Sequence, residues 1–132
     1  MSFFSLNGVS KIYQVDKTDF YALRNINLAL PSKGFISITG KSGSGKSTLL
    51  NLLMCIEKPT RGEVFFQNKR IDKMSKSELS NYHLNDVAMV YQHYNLFDEL
   101  SPLDNVMLPL LMRGESKTKA KEKALDLFNK FS

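Results

Sequence analysis

The run Gly40-Lys41-Ser42-Gly43-Ser44-Gly45-Lys46-Ser47-Thr48 combines glycines, hydroxyls and lysines at a spacing suited to phosphate. It fits G-x-x-x-x-G-K-[ST], the phosphate-binding P-loop pattern. Phosphate carries concentrated negative charge, and a chain wraps it only where backbone N–H groups converge. Gly40, Gly43 and Gly45 permit such a tight path, with Ser42 and Ser44 between them. Lys46 is placed to reach the β- and γ-phosphates of a nucleotide, and Ser47 to offer its hydroxyl to Mg²⁺. Thr48 adds a hydroxyl toward the α-phosphate side. A helix starting at the end of the loop turns its positive dipole end to the same anion.

Such a loop must be held between a strand and a helix. Upstream, Phe35-Ile36-Ser37-Ile38-Thr39 alternates and is rich in β-branched residues, which predicts a strand. Downstream, Leu49–Ile56 is apolar on nearly all sides, which predicts a buried helix. A Gly/Ser linker would not sit between two such elements.

The remaining elements follow from pattern and punctuation. Residues 3–7 and 23–30 are expected as strands, separated by Lys11-Ile12-Tyr13-Gln14 and a polar turn over Asp16–Asp19. Pro59-Thr60-Arg61-Gly62 is a turn before the strand Glu63–Phe66. Ser75 and Glu78 form a capping box for a short helix to about Tyr82. Val87–Tyr91 is expected as a buried strand. Ser101, Pro102 and Asp104 start a helix whose apolar face is Leu103, Val106, Met107, Leu110 and Leu111. Pro109 should bend or end it. After Gly114 a last helix sets Lys117, Lys119, Lys121 and Lys123 toward solvent, with Ala120, Ala124, Leu127, Phe128 and Phe131 as its apolar stripe.

With 132 residues, 42% hydrophobic and 23% charged, the chain suits one soluble globular domain. No apolar stretch approaches a membrane span, and the N-terminus lacks a signal-peptide pattern. The single Cys55 has no partner for a disulfide and reads as a small buried apolar residue. A net charge of +5 raises the question of nucleic acid. Much of the excess lies on the solvent face of the last helix, and no aromatic-rich basic groove accompanies it. A nucleic-acid partner is therefore not expected.

Four patterns in order resemble the ATP-binding subunits of ABC transporters, most closely the branch serving macrolide export, lipoprotein release and antimicrobial-peptide resistance. Besides the P-loop they are Pro59-Thr60-Arg61-Gly62-Glu63, Val90-Tyr91-Gln92-His93-Tyr94-Asn95-Leu96-Phe97, and Asp104-Asn105-Val106 continuing to Leu108-Pro109-Leu110. The resemblance spans nearly the whole chain. It implies an α/β fold: part of a P-loop NTPase core, an antiparallel β subdomain and the start of a helical subdomain. Residues 1–93 would hold the P-loop and β portion with the Q-loop, and residues 94–132 would begin the helical subdomain. ATP and Mg²⁺ are the implied cofactors. Tyr13 matches the aromatic position that stacks on adenine, where a flat ring suits a flat base. Gln92 matches the Q-loop glutamine, whose carboxamide can accept from a Mg²⁺-bound water. Lys46 and Gln92 are the implied catalytic residues, and Ser47 and Gln92 the implied metal contacts. Residues 94–111 correspond to the surface that meets the membrane permease, with Phe97, Leu100 and Leu103 expected as an exposed apolar patch. The second implied partner is another ATP-binding subunit in a head-to-tail dimer. The implied location is cytoplasmic, on the inner face of the membrane through the permease.

Several features imitate missing parts. Phe97-Asp98-Glu99 has the Asp-Glu pair of a Walker B strand without the apolar run before it. Asn68-Lys69 resembles a guanine-reading element, but Ile71 stands where that element needs Asp. His83 and His93 precede the point where the family places its switch histidine. No L-S-G-G-Q signature and no apolar run ending in Asp-Glu follow Gln92. The expectation is an N-terminal part of an ABC ATPase that binds ATP and hydrolyses it poorly or not at all. The alternatives are another P-loop enzyme, a kinase or GTPase, and a non-catalytic module docking on a permease.

Overall fold

The computed structural model describes residues 2–131, and the chain forms two compact units that divide between Leu79 and Ser80.

The first unit is built on a four-stranded antiparallel sheet of order β2-β1-β3-β4. Its strands are β1 (Phe4–Val15), β2 (Thr18–Leu30), β3 (Arg61–Phe66) and β4 (Lys69–Arg70). The expected strands over 3–7 and 23–30 are the outer parts of one long hairpin. Its turn is Asp16-Lys17, both with positive φ (49° and 65°), the backbone form that matches strand twist in a two-residue loop. Lys11–Gln14 therefore belongs to β1. Leu6, Val9, Leu23, Val64, Phe66 and Ile71 are buried in this unit. β1 also pairs with β3 across Gly62, whose φ is 85°. A Cβ at Gly62 would lie 2.5 Å from the Gly8 carbonyl oxygen, so the strands meet there only because the side chain is hydrogen.

Helix α1 (Lys46–Leu53) leaves the P-loop and buries Leu52 and Leu53. It begins earlier and stops earlier than the apolar run predicted. Leu50 and Ile56 are exposed, so the helix is buried along one side rather than all round. A Schellman motif ends it: Ile56 N–H donates to the Asn51 carbonyl (2.9 Å) and Cys55 N–H to the Leu52 carbonyl (3.1 Å). Cys55 takes the left-handed position itself, φ 54°, with its thiol donating to the Ile71 carbonyl at 3.2 Å.

Two expected strands are not strands. Residues 35–39 and 87–91 run without a β ladder, and Phe35 and Val90 are 108% and 97% exposed. A strand exists only where a neighbour takes its N–H and C=O groups, and neither segment pairs with another among the described residues.

Helix α2 (Lys76–Asn85) has the predicted capping box, Glu78 N–H donating to Ser75 Oγ and Ser75 N–H to Glu78 Oε2. The second unit holds α3 (Pro102–Met112) and α4 (Lys117–Phe131). Met107, Ala120 and Ala124 are its buried centre, with Leu103, Val106 and Leu110 packed against them. α3 is capped by Ser101, whose Oγ accepts from Asp104 N–H at 3.1 Å. Pro109 does not end α3, which runs on to Met112. Being near the C-terminus, the proline removes one ladder bond and leaves the apolar face intact.

Candidate functional site

The P-loop lies beside the β1–β2 hairpin. A cavity of about 300 Å³ is lined by Tyr13, Phe20, Ala22, Ser42, Gly43, Gly45, Lys46, Ser47 and Thr48. The sequence places Tyr13 and the loop far apart in the chain, and the fold brings them to one cavity.

Local chemistry explains the loop's shape. Gly45 is the N-cap of α1 with φ 91°, a conformation that only glycine adopts without strain. A Cβ there would lie 2.4 Å from the Ala22 carbonyl oxygen, so the loop rests directly on β2. Lys46 Nζ donates to the carbonyls of Gly40 (2.9 Å) and Lys41 (2.8 Å), spanning the loop's start. A third, longer contact runs to Ser44 Oγ at 3.5 Å. All three ammonium donors thus face loop oxygens, and an anion would take its share by displacing this weakest one. Ser44 N–H donates to the Lys41 carbonyl at 3.2 Å, and Gly40 lies close against the Ser44 side chain.

The hairpin forms the other wall. Tyr13 and Phe20 are directly paired across β1 and β2, so their side chains leave the same face. Tyr13 Oη donates to Glu57 Oε2 at 2.8 Å. Lys11 Nζ pairs with the same oxygen at 2.8 Å and lies 5.1 Å from the Tyr13 ring centroid. Burial raises the Tyr13 phenol above its ordinary value near 10, and Glu57 adds to the rise. The neighbouring Thr48 hydroxyl and Lys11 act in the opposite direction. The Glu57 carboxyl is held at about 2 by hydrogen bonds from Lys11, Asn51 and Tyr13.

Phe20, Ala22, Glu57, Lys11 and Asn51 were not among the expected site residues. Phe20 was legible in principle: a two-residue turn at 16–17 puts residue 20 opposite residue 13. The Asp16-Lys17 dipeptide is a weak hairpin signal, because lysine is not a usual left-handed residue. Glu57 carried no local signal, since only the turn after α1 brings it to β1.

Gln92 lies in the second unit, exposed, in the irregular segment between α2 and α3. In the same unit Tyr94, Leu96, Phe97 and Leu100 are exposed. Leu103 is not part of that patch, because it turns onto the Met107 cluster. Asn105 anchors the segment to α3. Its Oδ1 accepts from Phe97 N–H (2.8 Å), and its Nδ2 donates to the carbonyls of Phe97, Leu100 and Ser101. A cavity of about 510 Å³ opens beside it, lined by Leu84, Val87, Phe97, Leu108, Met112 and Arg113 among others.

The donor set of the first cavity fits Mg²⁺ carried on a nucleotide. Such an ion keeps several waters and takes one or two protein oxygens beside phosphate oxygens, and Ser47 supplies a hydroxyl. Among the described residues no cluster of three or more His, Cys, Asp or Glu could hold a metal unaided. No helix there is long and apolar enough to cross a membrane.

Comparison with known proteins gives a consistent result. The family described as ABC transporter matches residues 23–132. An uncharacterized ABC transporter ATP-binding protein of Methanocaldococcus jannaschii, MJ0796, is 40% identical over 86% of this chain and 51% of its own length. The lipoprotein-releasing system ATP-binding protein LolD of Wigglesworthia glossinidia brevipalpis is 40% identical, covering 91% of this chain and 52% of its own. The methionine import ATP-binding protein MetN of Staphylococcus saprophyticus is 38% identical, covering 92% and 36%. The chain thus spans about half the length, or less, of these relatives. Among solved structures, the dimeric post-hydrolysis state of MJ0796 bound to ADP and Pi matches with a TM-score of 0.86 at 37% identity. That match covers 93% of this chain and 54% of the other.

Proposed function

The chain belongs to the ABC transporter family, and from that premise we propose that its first unit is the ATP-binding segment of an ABC-type ATPase. The observation that carries the reading is one cavity in which a tyrosine and a phenylalanine face a P-loop. In this reading the base stacks on Tyr13, with Phe20 beside it. The phosphates lie on Gly40, Ser42, Gly43, Ser44, Gly45 and Thr48. Lys46 places its charge against the β- and γ-phosphates, and Ser47 holds Mg²⁺. The metal, when bound, neutralises phosphate charge as it develops. Gln92 is proposed as a metal contact and, like Lys46, as a catalytic residue on its match to the family's Q-loop glutamine alone. Family membership favours this reading over a kinase or a GTPase.

The proposed division sets residues 1–93 as the nucleotide-binding and β portion with Gln92, and 94–132 as the start of the helical portion. The partners are a membrane permease, met through about 94–111, and a second ATP-binding subunit set head to tail. The protein would work on the cytoplasmic side of the membrane through that permease. The exposed aromatic and aliphatic side chains from Tyr94 to Leu100 support the permease contact. For these 132 residues taken alone only ATP binding is proposed, with slow turnover, because Lys46, Ser47 and Gln92 by themselves supply little of the positioning that hydrolysis requires.

Titration of the chain with Mg-ATP and Mg-GTP tests the reading. ATP should bind, Lys46→Ala should weaken that binding strongly, and GTP should compete poorly. Equal affinity for GTP would count against it, and rapid Lys46-dependent turnover would refute the limit on hydrolysis.

A further inference from the structure

The Schellman turn that closes α1 also carries Glu57 back to β1. Its carboxylate then serves two elements at once. Oε2 accepts from the Tyr13 hydroxyl and from Lys11 Nζ on β1, both at 2.8 Å. Oε1 accepts from Asn51 Nδ2 on α1 at 3.0 Å. The backbone reinforces the arrangement, with Glu57 N–H donating to the Asn51 carbonyl at 3.2 Å and Lys11 Nζ to the Lys58 carbonyl at 3.0 Å. An exposed ion pair alone orders little. Here three side-chain donors from two elements converge on one carboxylate, and all the partners are at least half shielded from solvent. A tyrosine ring turns about two torsions. Its Cβ is fixed by β1, and a charge-assisted hydrogen bond at the far end fixes the remaining freedom.

We propose that Glu57 is a positioning residue for nucleotide recognition: by holding the Tyr13 hydroxyl it sets the plane of the ring that takes the base, and it ties that ring to the helix that begins at Lys46. The proposal rests on the reading of Tyr13 as the base platform. Glu57 does not line the cavity itself. It therefore acts through Tyr13, and its influence is confined to ligands that carry a base. A bare polyphosphate, held by the P-loop alone, is indifferent to it.

The test compares Mg-ATP with Mg-tripolyphosphate, titrated calorimetrically into the 132-residue chain and into Glu57→Ala, Tyr13→Phe, their double variant and Tyr13→Ala. Glu57→Ala should weaken ATP roughly three- to tenfold, the scale of one ordinary hydrogen bond, because the contact reaches the base only through the ring. Tripolyphosphate affinity should stay within about twofold of the native value on the same scale. Tyr13→Phe, which removes one oxygen and keeps the ring, should reproduce the selective loss. The double variant should be no worse than either single one, because both remove the same contact. If Glu57→Ala does not fold, Tyr13→Phe decides: selective loss supports the proposal and native ATP affinity overturns it. Equal weakening of both ligands by Glu57→Ala assigns the residue to fold stability and overturns the proposal. Native ATP affinity in Glu57→Ala and Tyr13→Phe, with a loss only in Tyr13→Ala, removes the role of Glu57 and leaves the base platform standing. Native ATP affinity in Tyr13→Ala as well removes the platform, and the proposal with it.

Discussion

Gly45 lies so close to the Ala22 carbonyl that a methyl group at residue 45 would sit 2.4 Å from that oxygen. The P-loop and the hairpin are therefore in direct backbone contact, and the cavity's two walls cannot shift independently. Gly45→Ala should cost on the order of 1–3 kcal/mol from its left-handed φ alone. It should also push the loop away from β2. The expected outcome is a lower unfolding midpoint together with loss of ATP binding, measured by thermal melting and calorimetry.

Lys46 is tied to the Gly40 and Lys41 carbonyls, so it shapes the loop as well as charging it. Lys46→Ala should weaken ATP by about 10- to 100-fold, the scale of a charged hydrogen bond to phosphate. Lys46→Arg should not rescue it fully, since a planar guanidinium cannot replace a compact ammonium between two carbonyls. Affinity titration of both variants checks this.

Phe20→Ala removes the residue paired with Tyr13 while leaving the P-loop untouched. ATP binding should weaken by a few-fold, about 1 kcal/mol for one aromatic contact, and tripolyphosphate binding should not change. Loss of both affinities would instead mark Phe20 as a support of the hairpin.

Acid should unfold the first unit in a defined window. The Glu57 carboxyl titrates at about 2 in the folded chain, against an ordinary value near 4.5. A lowered folded pKa stabilises above the unfolded value, and that contribution fades as pH falls from about 4.5 toward 2. Glu78, held at about 2 chiefly by Lys69, titrates over the same range. Denaturant melts at pH 6, 4 and 2.5 should show the native chain losing more stability than Glu57→Gln. Parallel curves would show that Glu57 does not contribute.

Asn105 holds the Phe97–Ser101 segment by four hydrogen bonds. Asn105→Ala should release it at a cost of about 1 kcal/mol, because these groups can turn to water instead. Hydrogen exchange should speed up at the Phe97 amide and change little at Met107, which is buried on the other side of α3.

The antiparallel pairing of the strands was expected only from the family resemblance, whereas the P-loop helix and the two helices of the second unit were legible because each rests on local signals. The Ser75–Glu78 and Ser101–Asp104 caps, for example, are encoded within four residues. The segments at 35–39 and 87–91 have the composition of strands, but a strand also needs a neighbour, and composition does not supply one. The loop lysine and serine were legible from their spacing. The site's hairpin wall was not, because Phe20 depends on a two-residue turn and Glu57 on a helix ending whose left-handed residue is a cysteine rather than a glycine. In both cases the decisive information lies in backbone conformation, not in side-chain type.

The Asp16-Lys17 turn gives the site a dependence on chain length. Tyr13 and Phe20 share a face because two residues, and no more, separate β1 from β2. Side chains alternate along a strand, so a residue added at this tip without lengthening the two-residue loop would move the pairing by one place and send Phe20 to the opposite face, whereas a three-residue loop would absorb it. The aromatic wall is thus encoded partly as a count. A single-codon insertion in this exposed, polar tip is harmless if the loop takes it up, but if the ladder does, it would disassemble a binding surface without replacing any residue in it.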